Sequence, residues 1–404
     1  MTLVAPAEPP LDDRLGELDR FDQDVSVAFT KQVVNLLNDV YFRTRLVGFD
    51  AWDERSNPAA PLIYVSNHSG MALPWDAVAF VAMLFRRFGY EYDKTLRTLI
   101  TPFFTRVGLL SLYQVPTVLT RSGGVEATFR NFEAAMRLAR GHVLVYPEGL
   151  RGIGKGFDKR YQLQRVSTSV VRMALKYRTD IVHFASVNGE YIHPFAYRSE
   201  WLNRVGKRLL GLPFLPFTVL LPLIVLQPWV FYMAFPANLT FVRKSRIGWR
   251  ELRGWSRGAA EPGGGERPAE AGEEEIRAIR DRLQVRLQAE LDEAEATYGR
   301  QPFGWRSFWR QLTRHWRSFP LWLPVGWPLL FWEFERQYAR GLPEDEPLAL
   351  NGMSVLRIVA AQPWLLAYYV PVLGWLPLLF WSARVNGLPT VTRRRPARAR
   401  RSAG

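Results

Sequence analysis

The first residues in this chain whose types and spacing suit chemistry are His68 and Asp76, in the stretch LIYVSNHSGMALPWD (62–76). His68 follows an apolar, strand-like run, and Asp76 comes eight positions later, in the first turn of a predicted helix. Neutral imidazole can take a proton from a hydroxyl near neutral pH, and a carboxylate on its other nitrogen fixes the tautomer. Taken alone, the pair fits a structural histidine better than a catalytic one.

A second polar loop, PEGLRGIGKG (147–156), follows another strand-like run at 142–146. Its glycines let the backbone approach a ligand, and the planar guanidinium of Arg151 suits a phosphate or a carboxylate. Glu148 either holds an acceptor hydroxyl or braces Arg151. The loop lacks the G-x4-G-K-[ST] pattern of a Walker A loop. Together the two loops predict one cleft, with the base on one side and a substrate clamp on the other.

Arg121 is a third candidate, because it follows the run VPTVLT (115–120), which we interpret as a strand. A surface arginine is an equally good interpretation of this residue. The segments that must position the candidates alternate between two periodicities, which indicates a layered α/β fold. Strands are predicted at 45–50, 62–66, 115–120, 142–146, 180–189 and 237–242, and helices at 26–42, 74–87, 124–141, 162–177 and 276–298.

Composition limits the function classes. The 404 residues carry a net charge of +15 and no cysteine, which excludes disulfides, thiolate metal ligands and cysteine nucleophiles. The positive charge suits nucleic acid, an anionic membrane, coenzyme A phosphates or an acidic carrier protein. The chain also has 15 Trp and 25 Phe. Because aromatic side chains with a polar atom favour membrane–water interfaces, this composition favours a membrane over nucleic acid as the partner.

The chain divides into regions of different composition. Residues 1–24 are predicted to be disordered, 25–300 to form the main domain, 301–392 to form an aromatic, apolar helical extension, and 393–404 to be an Arg-rich tail. Within the main domain, 256–274 is a low-complexity loop.

Two apolar segments predict membrane association. Five prolines interrupt 209–236, and a strand follows it, so a hairpin or an interfacial element suits it better than one crossing. Segment 363–381 either spans the bilayer or lies in the interface. The N-terminus lacks the apolar core of a signal peptide. We therefore expect the protein on the cytoplasmic face of a membrane, as a peripheral or monotopic protein or with a C-terminal anchor.

The order of these motifs over about residues 40–298 resembles the glycerolipid and lysophospholipid acyltransferases. Asn-His…Asp is followed by an arginine, then by Pro-Glu-Gly-x-Arg, then by an apolar segment with prolines. The family's fourth block best matches 186–189, or 235–238 further on. The resemblance implies an α/β fold with a central mixed sheet flanked by helices. It also implies catalytic roles for His68 and Asp76 and acceptor binding by Arg121, Glu148, Gly149 and Arg151.

The resemblance further implies transfer of a fatty acyl group from acyl-CoA or acyl carrier protein to a lipid hydroxyl, with no metal, no cofactor and no covalent acyl-enzyme. The acceptor stays open between lysophosphatidate, another lysophospholipid and a neutral mono- or diacylglycerol, and Arg151 favours one that bears a phosphate. One departure from the family stands out. The usual spacing is His-x4-Asp, and here seven residues intervene. Three extra residues must therefore loop out for Asp76 to reach the imidazole.

Other functions remain open. A non-catalytic lipid-binding protein on the same scaffold is compatible with the unusual spacer. An α/β-hydrolase esterase would need a G-x-S-x-G nucleophile elbow, which the sequence lacks. Nucleic-acid binding rests on charge alone. The sequence does not indicate an oligomeric state.

Overall fold

The computed structural model describes residues 21–68, 73–106, 108–138, 140–210, 215–255, 272–341, 348, 350–351 and 353–380. Several predictions from the sequence therefore lie outside the described residues. They concern the Arg-rich tail 393–404, most of the N-terminal segment 1–24, most of the loop 256–274, and the spacer 69–72 between His68 and Asp76.

A seven-stranded mixed sheet lies at the centre of the fold, with strand order β1-β9-β6-β2-β5-β3-β4. Only the β6–β9 pair is antiparallel among these strands. A separate two-stranded sheet pairs β7 with β8. The strands are β1 (Arg45–Val47), β2 (Ile63–Val65), β3 (Leu96–Ile100), β4 (Gly124–Glu126), β5 (His142–Val145), β6 (Ile181–Val187), β7 (Tyr197–Arg198), β8 (Pro216–Phe217) and β9 (Thr240–Ile247). The predicted α/β architecture with a central mixed sheet is confirmed.

Fourteen α-helices lie wholly within the described residues, and residues 375–380 are also helical. The first continues beyond Phe29 as π-helical turns at Thr30–Val34 and Leu37–Tyr41. The helices are α1 (Gln23–Phe29), α2 (Trp75–Arg87), α3 (Phe103–Arg106), α4 (Val115–Arg121), α5 (Phe129–Ala135), α6 (Leu150–Ile153), α7 (Thr168–Lys176), α8 (Glu200–Leu210), α9 (Leu220–Leu226), α10 (Trp249–Gly254), α11 (Glu273–Tyr298), α12 (Trp305–Arg314), α13 (Trp327–Ala339) and α14 (Ser354–Ala361).

The sheet separates two apolar layers, as the alternation of side chains along a strand requires. Tyr64 of β2 packs into the layer that contains α1, α2 and α13. Its neighbours Ile63 and Val65 pack into the opposite layer, which contains α7 and α11. The helix predicted at 276–298 is confirmed as part of α11, and its apolar stripe of Ile276, Ile279, Leu283, Leu287 and Leu291 is buried in that layer.

Side chains of the described C-terminal residues, from Phe308 to Leu378, share the first of these layers with the N-terminal part of the chain. Trp327 of α13 is fully buried, with its ring centroid 4.7 Å from that of Trp75 and 5.3 Å from that of Tyr41. Phe334 lies 5.1 Å from Phe29. The helical C-terminal region is therefore part of the main core, and its aromatic side chains are in part a packing surface.

Two sequence predictions about this sheet are wrong. The run 115–120 is helix α4, not a strand, and Pro116 lies in its first turn, where proline is well tolerated. The strand in this part of the sheet is β4, which takes the start of the helix predicted at 124–141 and leaves a shorter α5. Gly124 permits β4 to lie close to the end of α4, since a Cβ there would lie 2.6 Å from the carbonyl oxygen of Leu119.

No helix in the described part of the chain has the length and apolar character needed to cross a membrane. Segment 209–236 is broken into the end of α8, strand β8, helix α9 and a 3-10 turn at Pro228–Tyr232. Within 363–380, the described part of the second apolar segment, a 3-10 turn covers Pro363–Tyr369. The prolines at 216, 222, 228, 363 and 371 account for these short elements, because each removes a backbone donor.

Candidate active site

The loops that carry His68 and Glu148 lie side by side because their strands are adjacent and parallel. β2 pairs with β5, with Ile63 opposite Val143 and Val65 opposite Val145. Both loops therefore leave the sheet at its carboxyl edge, where α/β folds place functional groups. The sequence prediction that the two loops share one cleft agrees with this arrangement, and residues of both loops line the same cavity.

His68 and Asp76 are in contact. The Nδ1 atom of His68 lies 3.1 Å from Oδ2 of Asp76, which is fully buried, while the His68 side chain is 10% exposed. Asp76 is the second residue of α2, where the helix dipole stabilises a carboxylate, and its Oδ1 accepts from the N–H of Ala77 at 2.9 Å. Asp76 therefore reaches the imidazole despite the long spacer.

Two further contacts fix the position of His68. Nδ2 of Asn67 donates to the carbonyl of Ser186 at 2.9 Å, and Oδ1 of Asn67 accepts from the N–H of Ser186 at 2.8 Å. These two hydrogen bonds tie the loop to Ser186 of β6, which lies in the segment 186–189. The imidazole stacks on Tyr146, with ring centroids 4.2 Å apart. Burial raises the pKa of the Tyr146 hydroxyl well above its ordinary value.

Glu148 is a brace between backbone segments. Its Oε1 accepts from the N–H of His68 at 2.8 Å, and its Oε2 accepts from the N–H of Gln164 at 2.6 Å. Lys155 lies 3.8 Å from the same carboxylate, and both side chains are buried. Burial raises the pKa of Glu148. Of the two sequence interpretations for Glu148, holding an acceptor hydroxyl or bracing, the contacts favour bracing, although of His68 and not of Arg151.

Gly149 and Arg151 line the cavity beside this brace. Gly149 has φ +56 and ψ −139, a backbone conformation that side chains with a Cβ rarely adopt. Gly152 packs against Glu148, since a Cβ there would lie 2.6 Å from that of Glu148. Arg151 is exposed and forms no ion pair within the described residues. Its guanidinium is therefore free to bind an anionic group in the cavity.

Arg121 lies elsewhere. Its Nη1 donates to both carboxylate oxygens of Glu335 on α13, at 3.0 and 3.1 Å, and its guanidinium lies over the ring of Tyr338. Neighbouring residues Val118, Leu119 and Ser122 line the cavity, but Arg121 is not among the lining residues. The structure does not bring Arg121 together with the other candidates.

The other strand histidines are buried in the sheet, as predicted. His142 begins β5 and His183 lies within β6. Burial lowers the pKa of His142 to about 4 and also lowers the pKa of His183, whose Nδ1 lies 2.5 Å from Glu290. In the described part of the chain, no group of three or more His, Asp or Glu residues is placed to hold a metal ion.

The cavity has a volume of about 910 Å³ and extends over the carboxyl edge of the sheet from one layer to the other. Apolar side chains of α1–α4 line one part, which we call the apolar arm: Phe29, Val34, Val81, Phe85, Phe104 and Leu119. His68, Glu148 and Arg151 line the same cavity, and α7 and α11 of the other layer contribute polar residues to what we call its polar end.

Sequence reasoning missed four arginines at that polar end: Arg165, Arg172, Arg277 and Arg280. The signal available was weak. Arg277 and Arg280 are three positions apart on α11, so they share a helix face, but the apolar stripe of that helix indicates only a packing surface. Sequence reasoning also missed Tyr146, because a tyrosine at the end of a buried strand is typical of a residue in the hydrophobic core.

Comparison with known proteins finds relatives without an assigned activity. The chain is 28% identical over 205 residues to an uncharacterized protein of Mycobacterium leprae. The aligned region covers 50% of this chain and 51% of that protein. It is equally similar to an uncharacterized protein of Mycobacterium tuberculosis, with 52% of that protein covered. The chain thus spans about half the length of the curated relatives it matches. No family model matches, and no solved structure matches.

Proposed function

We propose that the protein transfers a fatty acyl group from an acyl thioester to a hydroxyl of a glycerolipid, with His68 as the general base. One observation carries the proposal. A histidine–carboxylate pair lies at the carboxyl edge of a mixed sheet, and its histidine lines a cavity that has an apolar arm. The motif order that resembles the glycerolipid acyltransferases supports the same reaction.

The cavity suits this substrate class in size and lining. Its volume of about 910 Å³ falls in the upper part of the range of roughly 300–1,000 Å³ for small-molecule pockets. Burying an acyl chain contributes about 0.8 kcal/mol per methylene. The apolar arm would hold this chain, so that the thioester carbonyl lies near His68.

In the proposed reaction the two imidazole nitrogens have different tasks. Nδ1 faces Asp76, so Nε2 is the atom that takes the proton from the acceptor hydroxyl. The hydroxyl oxygen then attacks the thioester carbon, the carbon–sulfur bond breaks, and the proton passes from Nε2 to the leaving thiolate. Asp76 holds the tautomer and stabilises the imidazolium between these two steps. The products are an ester and a free thiol, with no covalent acyl-enzyme.

The free guanidinium of Arg151 favours an acceptor with a phosphate, such as lysophosphatidate or another lysophospholipid. A neutral mono- or diacylglycerol is the alternative acceptor. The donor is acyl-CoA or acyl carrier protein. These choices rest on the character of the site, and the acceptor assay described below separates them.

The substrates also imply a membrane surface, and two apolar segments supply a candidate for it. Helix α9 and the segment 363–380 lie together, because the N–H of Val372 donates to the carbonyl of Leu226 and the indole N–H of Trp375 donates to that of Val225, both at 2.9 Å. Val225, Val372, Leu373 and Leu376 around this junction are exposed. We propose that this surface docks on the cytoplasmic face of a membrane.

Docking is tested by flotation of the purified protein with anionic vesicles at low and high salt. Apolar burial is not screened, so the wild type should stay bound at high salt, and Leu373→Asp with Leu376→Asp should release it. Val285→Asp is the matched control, since Val285 is an exposed valine on α11, away from this surface. Release of the wild type by salt alone would contradict apolar docking.

The reaction is tested with labelled acyl-CoA or acyl carrier protein and a panel of lysophospholipids and neutral glycerides. We expect a labelled product with at least one phosphate-bearing acceptor and none with His68→Ala. His315→Ala is the control for loss of a histidine, because His315 lies at the end of α12 and is not among the residues that line the cavity. Full activity of His68→Ala would overturn the mechanism, and lipid binding without turnover would favour the non-catalytic alternative.

A further inference from the structure

The polar end of the cavity contains a concentration of positive charge that the acyl transfer steps do not use. Arg165 precedes α7, Arg172 lies on α7, and Arg277 and Arg280 lie on α11. All four line the cavity. None of them belongs to the motifs at His68, Asp76 and 147–156. We refer to these four residues as the arginine cluster.

The cluster is a built part of the fold. Arg280 is only 5% exposed, its Nη1 donates to the carbonyl of Val166 at 3.2 Å, and its Nε lies 2.6 Å from the carboxylate of Asp281. Arg172 pairs with Glu273, which also lines the cavity. These contacts fix two guanidinium groups against the cavity wall, and few carboxylates are left to neutralise the others.

Two members keep their charge free. Within the described residues, the side chains of Arg165 and Arg277 form no hydrogen bond or ion pair, and both are exposed and line the cavity. Four guanidinium groups with two carboxylates leave a positive field in a cleft, which attracts anions. The planar fork of arginine suits the oxygens of a phosphate in particular.

The cluster is connected to the reacting centre through Glu148. One oxygen of that carboxylate accepts from the backbone of His68, and the other accepts from the backbone of Gln164, one residue before Arg165. The same segment continues to Ser167, the N-cap of the nine-residue helix α7, and Ser167, Thr168 and Ser169 also line the cavity. A helix N-terminus adds backbone donors and a favourable dipole for an anion beside the arginines.

We propose that the arginine cluster binds a phosphate group of a substrate held in this cavity. This inference rests on the proposed function for the identity of the substrate. Two sources carry the required chemistry, namely the phosphates of a coenzyme A donor and the headgroup phosphate of a lysophospholipid acceptor. In both cases the cluster holds the phosphate at the polar end of the cavity.

The test uses the double variant Arg165→Gln with Arg277→Gln in the full-length protein, because both side chains are exposed and their loss leaves the core intact. Arg282→Gln is the matched control, since Arg282 is an exposed arginine of α11 that is not among the cavity-lining residues and donates to the carbonyl of Trp255. Equilibrium binding is measured for coenzyme A, for pantetheine, for a lysophosphatidate and for the matching monoacylglycerol. Thermal unfolding of each variant verifies folding.

We expect the double variant to raise Kd at least about tenfold for one phosphate-bearing ligand, which corresponds to about 1.4 kcal/mol. The matching ligand without that phosphate, pantetheine or the monoacylglycerol, should bind the double variant with the same Kd as the wild type. A selective loss for coenzyme A assigns the cluster to the donor, and a selective loss for lysophosphatidate assigns it to the acceptor. Unchanged affinity for all four ligands in a folded double variant would overturn the proposal.

The binding measurement separates this proposal from the proposed reaction. The wild type could give no product with any acceptor while the double variant loses affinity for a phosphate-bearing ligand. That result would support phosphate binding by the cluster and refute acyl transfer. If His68→Ala abolishes turnover while the double variant keeps wild-type affinities and KM values, acyl transfer is supported and phosphate binding by the cluster is refuted.

Discussion

Two pairs of polar side chains in this protein have almost the same contact distance and different surroundings. Nδ1 of His68 lies 3.1 Å from Asp76, and Nη1 of Arg121 lies 3.0 Å from Glu335. The first pair is at the carboxyl edge of the sheet, and its His68 lines a cavity. The second joins α4 to α13 and lies outside that cavity. Contact distance therefore says little about function, and the space beside the pair is what distinguishes a reacting group from a structural one.

The largest expected effect comes from Asp76→Asn, which keeps the shape of the first pair and removes its charge. An amide at this position no longer fixes the tautomer of His68 or stabilises the imidazolium, so kcat should fall by about 10³- to 10⁴-fold. Thermal unfolding should stay close to that of the wild type. Steady-state kinetics provide the measurement, and near wild-type kcat would remove Asp76 from the mechanism while leaving His68 as the base.

Arg151→Gln tests whether a free arginine in the cavity behaves differently from the paired Arg121. Hydrogen bonds to charged groups contribute about 1.5–3 kcal/mol, so kcat/KM should fall about 10- to 100-fold with a phosphate-bearing acceptor. The neutral glyceride should show no such loss. Arg250→Gln, an exposed arginine of α10, is the control. Equal losses for both acceptors would mean that Arg151 shapes the loop and does not bind phosphate.

Arg121→Gln should affect stability and leave the reaction nearly unchanged. The Glu335 carboxylate loses its partner, and burial already raises the pKa of that group. The free energy of unfolding should therefore fall by about 1–3 kcal/mol, with kcat/KM within about twofold of the wild type. Denaturant titration of Arg121→Gln, Glu335→Gln and the double variant measures the coupling of the pair. A raised KM without loss of stability would show instead that Arg121 binds the substrate.

The smallest effect is expected for Tyr146→Phe. Its hydroxyl is buried and has no hydrogen-bond partner in the described part of the chain, so removing it should change the free energy of unfolding by less than about 1 kcal/mol. Tyr146→Ala should cost more, about 3 kcal/mol, because the ring that stacks on His68 is lost. A tenfold lower kcat or an altered pH profile for Tyr146→Phe would instead show that the hydroxyl acts on the reaction.

The sequence was sufficient for those parts of the site that depend on neighbouring residues. Apolar runs followed by polar loops predicted β2 and β5, and their parallel pairing brought His68 and Glu148 together. The run 115–120 was misread because valine and threonine favour strands, while its proline in the first turn permits a helix. Local composition did not contain the information that decides between these two states, which comes from packing.

Contacts between distant residues were the part that sequence could not provide. Glu335 is 214 positions from Arg121, and no periodicity connects the two. The arginine cluster combines residues before and on α7 with residues of α11, more than 100 positions later. Helix α11 has an apolar stripe, but the stripe does not reveal which charged residues of other helices lie beside it in the cavity. These features appear only once the sheet order has been established.

The burial of Trp327 against Tyr41 and Trp75 has a consequence for how the chain folds during synthesis. The layer that supports α2, and with it Asp76, remains without its aromatic cover until α13 has been made, nearly three hundred residues after Tyr41. Contacts at this sequence separation form late and make folding slow. The nascent chain must therefore carry exposed aromatic surface until its last third emerges, and it is a natural client for chaperones.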